Sequence, residues 1–142
     1  MSKLTTHPVF IWLPVILVMG IILFMSTLPS EQAGVAIRQA SGPPREIIRQ
    51  VPVVPRTFRV DWGKVGHVIG YGVLGLVLYR ATCLSGHTGL LLPTVFVFGF
   101  ACLDEFVQYF VPGRSAQLSD VILDTTAALI MMVMIKLIAD RW

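Results

Sequence analysis

Four stretches of the chain, residues 9–28, 65–84, 89–111 and 117–139, each hold close to the roughly 20 apolar residues that a helix needs to cross the hydrocarbon core of a bilayer. A backbone placed in lipid must satisfy its own hydrogen bonds, so runs of this kind fold as helices packed on one another. The sequence therefore predicts an all-α integral membrane bundle of four transmembrane helices, with residues 1–142 as a single membrane domain and a longer loop at 29–62. Composition agrees, since 55% of the residues are hydrophobic and only 13% are charged. The first run could be read as a signal peptide, but it is longer than a usual signal core and the nearest small-residue cleavage site, at Ala36, lies well beyond it. It is read as a retained span.

The segment 29–62 is of another kind. Pro43, Pro44, Pro52 and Pro55 alternate with Arg38, Arg45, Arg49, Arg56 and Arg59, a pattern expected of a wet loop with a short interfacial helix near 45–51. The net charge of +3 is modest and its arginines are scattered, so no nucleic-acid partner is expected; membrane lipids are. Cys83 and Cys102 sit in apolar runs without metal-ligand or redox spacing and read as plain hydrophobes.

Costly polar residues interrupt these runs in a pattern. Lys64, His67 and Tyr71 stand at i, i+3 and i+7, one stripe at the start of the second span, beside Gly66 and Gly70, a small-xxx-small pair that would admit a neighbouring helix. Near the end of the third span come Asp104, Glu105 and Gln108. Pro112 and Gly113 then stop the helix, Arg114 occupies the turn, and Ser115 or Ser119 is expected to cap the fourth span, which opens with Asp120 and Asp124 one turn apart. With spans alternating in direction, all of these groups and Ser26 fall at one membrane surface. Ionisable residues in a membrane span mark a functional site by default, because their burial is expensive.

The two blocks resemble the signature of the VanZ-like membrane proteins. Lys64, His67 and Tyr71 match the start of its first helix block, and "DEFVQYFVPGRSAQLSD" matches the second through Asp104, Glu105, Gln108, Pro112, Arg114 and Asp120. The resemblance runs from Lys64 to about Ile130, with looser support from "FMSTLPS". Asp124 stands where that family usually has Asn, and Ala127 near a common Gly. The resemblance implies a bacterial multi-pass protein of the cytoplasmic (inner) membrane, in a family named for a role in glycopeptide (teicoplanin) resistance.

Three function classes follow. One is an enzyme on a lipid-linked or cell-envelope precursor, with His67, Glu105 and Asp104 as acid/base candidates and Lys64, Tyr71, Gln108, Arg114, Asp120 and Asp124 lining a substrate site. A second is a non-catalytic binder of such a component. A third is a scaffold or proton-coupled subunit with a membrane protein partner. No nucleophile motif, phosphate loop or zinc spacing is present, so neither a cofactor nor a metal is expected from motifs. Four carboxylates (Asp104, Glu105, Asp120, Asp124) nevertheless face two fixed cations (Lys64, Arg114), leaving −2 with His67 neutral. A carboxylate keeps its proton, His67 is charged, loop arginines fold in, or a hard cation binds. The first is the expectation, with Asp124, the deeper acid, as the protonated one. Lys3 before the first span favours an inside N-terminus, although counting every Lys and Arg (Arg38, Arg45, Arg49, Arg56, Arg59, Lys64 and Arg114 against Lys3, Arg80, Lys136 and Arg141) points the other way.

Overall fold

The computed structural model describes residues 7–28 and 62–141. They form four helices: α1 (Pro8–Ser26), α2 (Trp62–Leu84), α3 (Leu91–Tyr109) and α4 (Leu118–Ala139). All four are long and apolar enough to cross a membrane. Their bounds fall within three residues of the expected spans. The proposed interfacial helix at 45–51, the loop arginines and Lys3 lie outside the described residues.

Local chemistry sets the helix ends. Pro8 opens α1 at a position where its missing N–H costs nothing. After α2, Gly86 takes φ +88, a left-handed conformation in which glycine carries no Cβ penalty. The His87 N–H then reaches back to the Thr82 carbonyl at 2.8 Å and closes the end of the helix. Gly113, at φ +78, performs the corresponding reversal between α3 and α4, as the Pro112-Gly113 pair foretold. Neither Ser115 nor Ser119 caps α4. Its N-cap is Gln117, which makes no side-chain cap bond; the Gln117 N–H instead donates to Glu105 Oε2 at 2.6 Å, so a carboxylate of α3 ties down the start of α4.

Successive helices alternate in direction, which makes α2 and α4 parallel. α2 is the centre of the bundle and packs on the other three helices, most extensively on α4, whereas α1 and α4 share no contact among the described residues. The core runs along one stripe of each helix: Tyr71, Leu74 and Leu78 on α2; Val97, Phe100 and Ala101 on α3; Val121, Ala128 and Met132 on α4; Val15 on α1. Large apolar side chains elsewhere, such as Ile16, Phe24, Ile69, Leu91, Phe106 and Ile122, point outward, as a surface bathed in lipid requires.

The close helix approach is not where the small-residue pair at Gly66 and Gly70 placed it. A Cβ on Gly66 would meet nothing within 4 Å, and one on Gly70 would only touch the Ile22 side chain at 3.5 Å. Gly75 is the tight position: a Cβ there would lie 2.6 Å from the Ala128 carbonyl oxygen and 2.9 Å from its Cα. Backbone, unlike a flexible side chain, cannot move aside. Gly75→Ala is expected to push α2 and α4 apart and cost about 1–3 kcal/mol, as overpacking does, seen as a lowered thermal melting midpoint in detergent. Gly66→Ala, made in open space, should leave the midpoint unchanged or slightly raised.

Candidate functional site

The stripe that buries α3 changes character along its length. Pro93, Val97, Phe100 and Ala101 are apolar, and the next turns of the same face carry Asp104, Glu105 and Gln108, all buried. The α4 stripe does the reverse, with Asp124 buried near its start and Ala128 and Met132 below. Because the two helices meet at the turn around Gly113, their polar ends lie together. The start of α2 and the end of α1 arrive at the same level.

Contacts then link all four helices. Lys64 Nζ pairs with Asp120 Oδ1 at 2.6 Å, the lysine side chain 42% exposed and the aspartate 14%. One turn deeper, His67 Nδ1 lies 2.9 Å from Asp124 Oδ2, and Asp124 is wholly buried. These two rungs join α2 to α4. Gln108 is the hub on α3: its amide nitrogen donates to Asp104 Oδ2 at 3.2 Å and to Ser26 Oγ at 3.4 Å, and lies 3.5 Å from His67 Nε2. The Tyr71 ring lies parallel to the His67 ring with centroids 6.2 Å apart, and tilts against Phe100.

Arg114, expected to line a substrate site, makes bonds that brace the bundle. Its guanidinium donates to Gln108 Oε1 at 3.2 Å, to the Leu28 carbonyl at 3.2 Å and to the Met25 carbonyl at 3.1 Å. It thereby adds a donor to carbonyls at and just past the end of α1, and straps α1 to the α3–α4 turn. The structure thus brings Lys64, His67, Tyr71, Asp104, Glu105, Gln108, Arg114, Asp120 and Asp124 to one end of the bundle. Two of these had roles that residue type alone concealed: Glu105 fastens the start of α4, and Arg114 fastens the end of α1.

Four buried polar atoms have no hydrogen-bond partner among the described residues: the Tyr71 hydroxyl, Asp104 Oδ1, Glu105 Oε1 and Asp124 Oδ1. Each belongs to this cluster. At the opposite end the charged side chains of Arg80, Asp140 and Arg141 are exposed, and His87 is exposed too.

The family model for VanZ/LLP1 matches residues 10–139, nearly the whole chain and every residue of the cluster. No curated protein gives a match. No solved structure does either.

Two sets of variants probe the pairs. Lys64→Met removes a half-exposed ion pair beside buried acids and should destabilise by about 1 kcal/mol, whereas Arg80→Met, at the other end, should have no measurable effect in the same detergent melt. Asp124→Asn keeps an oxygen that accepts from His67 Nδ1–H, so in metal-free buffer its melting midpoint should match the parent's. Asp120→Asn loses the charge that holds Lys64 and should melt earlier than Asp124→Asn; the reverse order would show that Asp124 must be ionised for the fold.

Proposed function

The chain therefore belongs to the VanZ-like family, and on that premise we propose that it binds or acts on a lipid-linked component of the bacterial cell envelope at the polar end of its bundle. The observation that carries this reading is the gathering of buried Asp104, Glu105, Gln108, Asp124 and Ser26 around the partly buried His67 at one end of the four-helix bundle. Groups so expensive to bury in an apolar chain persist where they do chemistry or recognition. They also sit at the depth where the head group of a membrane-held molecule meets its hydrocarbon tail.

The roles follow from position. Lys64, half exposed at the rim, is the cation best placed to meet an anionic head group, with Asp120 holding its ammonium in place. Arg114 contributes by fixing α1 and Gln108. His67, held through Nδ1 by a buried carboxylate, has the fixed ring orientation that a proton-transfer residue needs, and Asp104 and Glu105 are the further acid/base candidates. Tyr71 and Gln108 line the same end. A non-catalytic scaffold is the second reading; the bracing bonds of Arg114 favour it, because they use a residue of the cluster to hold helices together.

The same reading places the protein in the bacterial cytoplasmic membrane with its N-terminus inside, which puts the polar end on the outer surface, and connects it to teicoplanin susceptibility. Three measurements test these points. Protein extracted with its native lipid in polymer-bounded discs should carry a polyprenyl-linked phosphate or sugar phosphate detectable by mass spectrometry, depleted in Lys64→Met and His67→Phe; recovery of bulk phospholipid alone from the parent protein would overturn the proposal. Expression should raise teicoplanin resistance, and His67→Phe should abolish the rise. For orientation, Ser115→Cys in a background without Cys83 and Cys102 should react with a membrane-impermeant maleimide on intact cells, since Ser115 is exposed in the turn between α3 and α4; labelling only after lysis would place the polar end inside.

A further inference from the structure

We propose that His67, Asp104 and Asp124 form a binding site for one divalent cation of the Mn2+ or Zn2+ class. One donor atom from each of these residues lies within 4.8 Å of the others. Ligands bound at roughly 2.0–2.4 Å from a common ion stand no more than about 4.8 Å apart, so the spacing of the three is within what one ion spans. They come from three different helices, α2, α3 and α4. The Lys64–Asp120 and Glu105–Gln117 contacts and the Gly75–Ala128 approach fix how those helices sit against one another, so the donors are brought together by the fold itself.

The second observation is the set of atoms left without partners. Asp104 and Asp124 are both 0% exposed, and each keeps one buried carboxylate oxygen, Oδ1, with no hydrogen-bond donor among the described residues. The hydroxyl of Tyr71, also 0% exposed, interacts with Asp104 but has no partner within 3.5 Å. A buried carboxylate oxygen without a partner carries its full desolvation cost, and native proteins seldom leave one so. A cation would take one oxygen from each aspartate.

Charge and donor type narrow the ligand. Arg114 is engaged by Gln108 and by carbonyls of α1, and Lys64 by Asp120. A 2+ ion balances the two aspartates while His67 stays neutral and offers a ring nitrogen. One imidazole with two carboxylates suits Mn2+ or Zn2+ better than the all-oxygen shells of Mg2+ and Ca2+, and better than the thiolate sites of softer metals; Cys102, on the same helix as Asp104, is exposed to the lipid side. Around the three ligands stands the orienting shell that metal sites require. The Gln108 amide holds Asp104 Oδ2 at 3.2 Å, and the Tyr71 ring lies parallel to the imidazole. Cation binding in place of a proton on Asp124 leaves Glu105 as the acid/base candidate outside the ligand set.

The site can be tested without any lipid-linked ligand, so its outcome is separate from that of the function proposed above. The full chain, carrying no polyhistidine tag, is placed in phosphatidylcholine nanodiscs, stripped with chelator and titrated with MnCl2, free Mn2+ being read by electron paramagnetic resonance against empty discs. One Mn2+ per chain is expected, displaced by Zn2+ and accompanied by a rise in melting midpoint that chelator reverses. Asp124→Asn, expected above to retain the metal-free fold, and Asp104→Asn should each weaken Mn2+ binding by about tenfold or more, while Arg80→Met should bind as the parent does. If Asp104→Asn fails to fold, Asp124→Asn decides alone. Absence of saturable Mn2+ and Zn2+ binding to the parent chain, or undiminished affinity in Asp124→Asn, would overturn the proposal.

Discussion

The two polar rungs between α2 and α4 are the interaction on which the rest depends. A carboxylate held in a membrane bundle has little water to turn to, so a partner on a neighbouring helix is strongly favoured. Asp120 finds Lys64, and Asp124 finds His67, four residues and one turn further in. Because the rungs are spaced by one helical turn on both helices, they hold α2 and α4 parallel and in register. That register sets Gly75 against Ala128, where backbone meets backbone with no side chain between. The remaining helices assemble on this pair: α3 through Gln108 and Asp104, α1 through Ser26 and the carbonyls that Arg114 captures.

Much of this was legible in the sequence, for reasons that are physical. Span positions follow from apolar length alone, which is why the four helices fall where the hydrophobic runs placed them. The gathering of polar groups at one end follows from alternating chain direction, a constraint that any four-span bundle obeys. The glycine at 113 announced its own turn, since few residues other than glycine adopt the left-handed conformation there.

What escaped the sequence depended on rotation and on long reach. Whether Gly66, Gly70 or Gly75 meets a neighbour is decided by the rotation of α2 about its axis, which the His67–Asp124 and Lys64–Asp120 contacts set and no local pattern reveals. Arg114 and Glu105 also reach backbone groups, the Met25 carbonyl and the Gln117 N–H, that only the tertiary arrangement brings near them. That His67, Asp104 and Asp124 share one end of the bundle was legible, but their approach to within 4.8 Å of one another was hidden for a related reason. They come from three helices, and the familiar metal-binding spacings describe ligands that lie close together along the chain.

The Gly75–Ala128 contact also acts as a ruler for the chain. Eight residues separate His67 from Gly75 and four separate Asp124 from Ala128, and each helix is locked at both ends of its interval. Adding or removing one residue inside either interval would turn everything beyond it by about 100° around the helix, so that either the polar rung or the backbone contact would be lost. Side chains on the lipid face of these intervals, such as Ile69 and Val73, can be exchanged for other apolar residues at little cost. The number of residues cannot change, and over the course of divergence length should therefore be held more strictly here than identity.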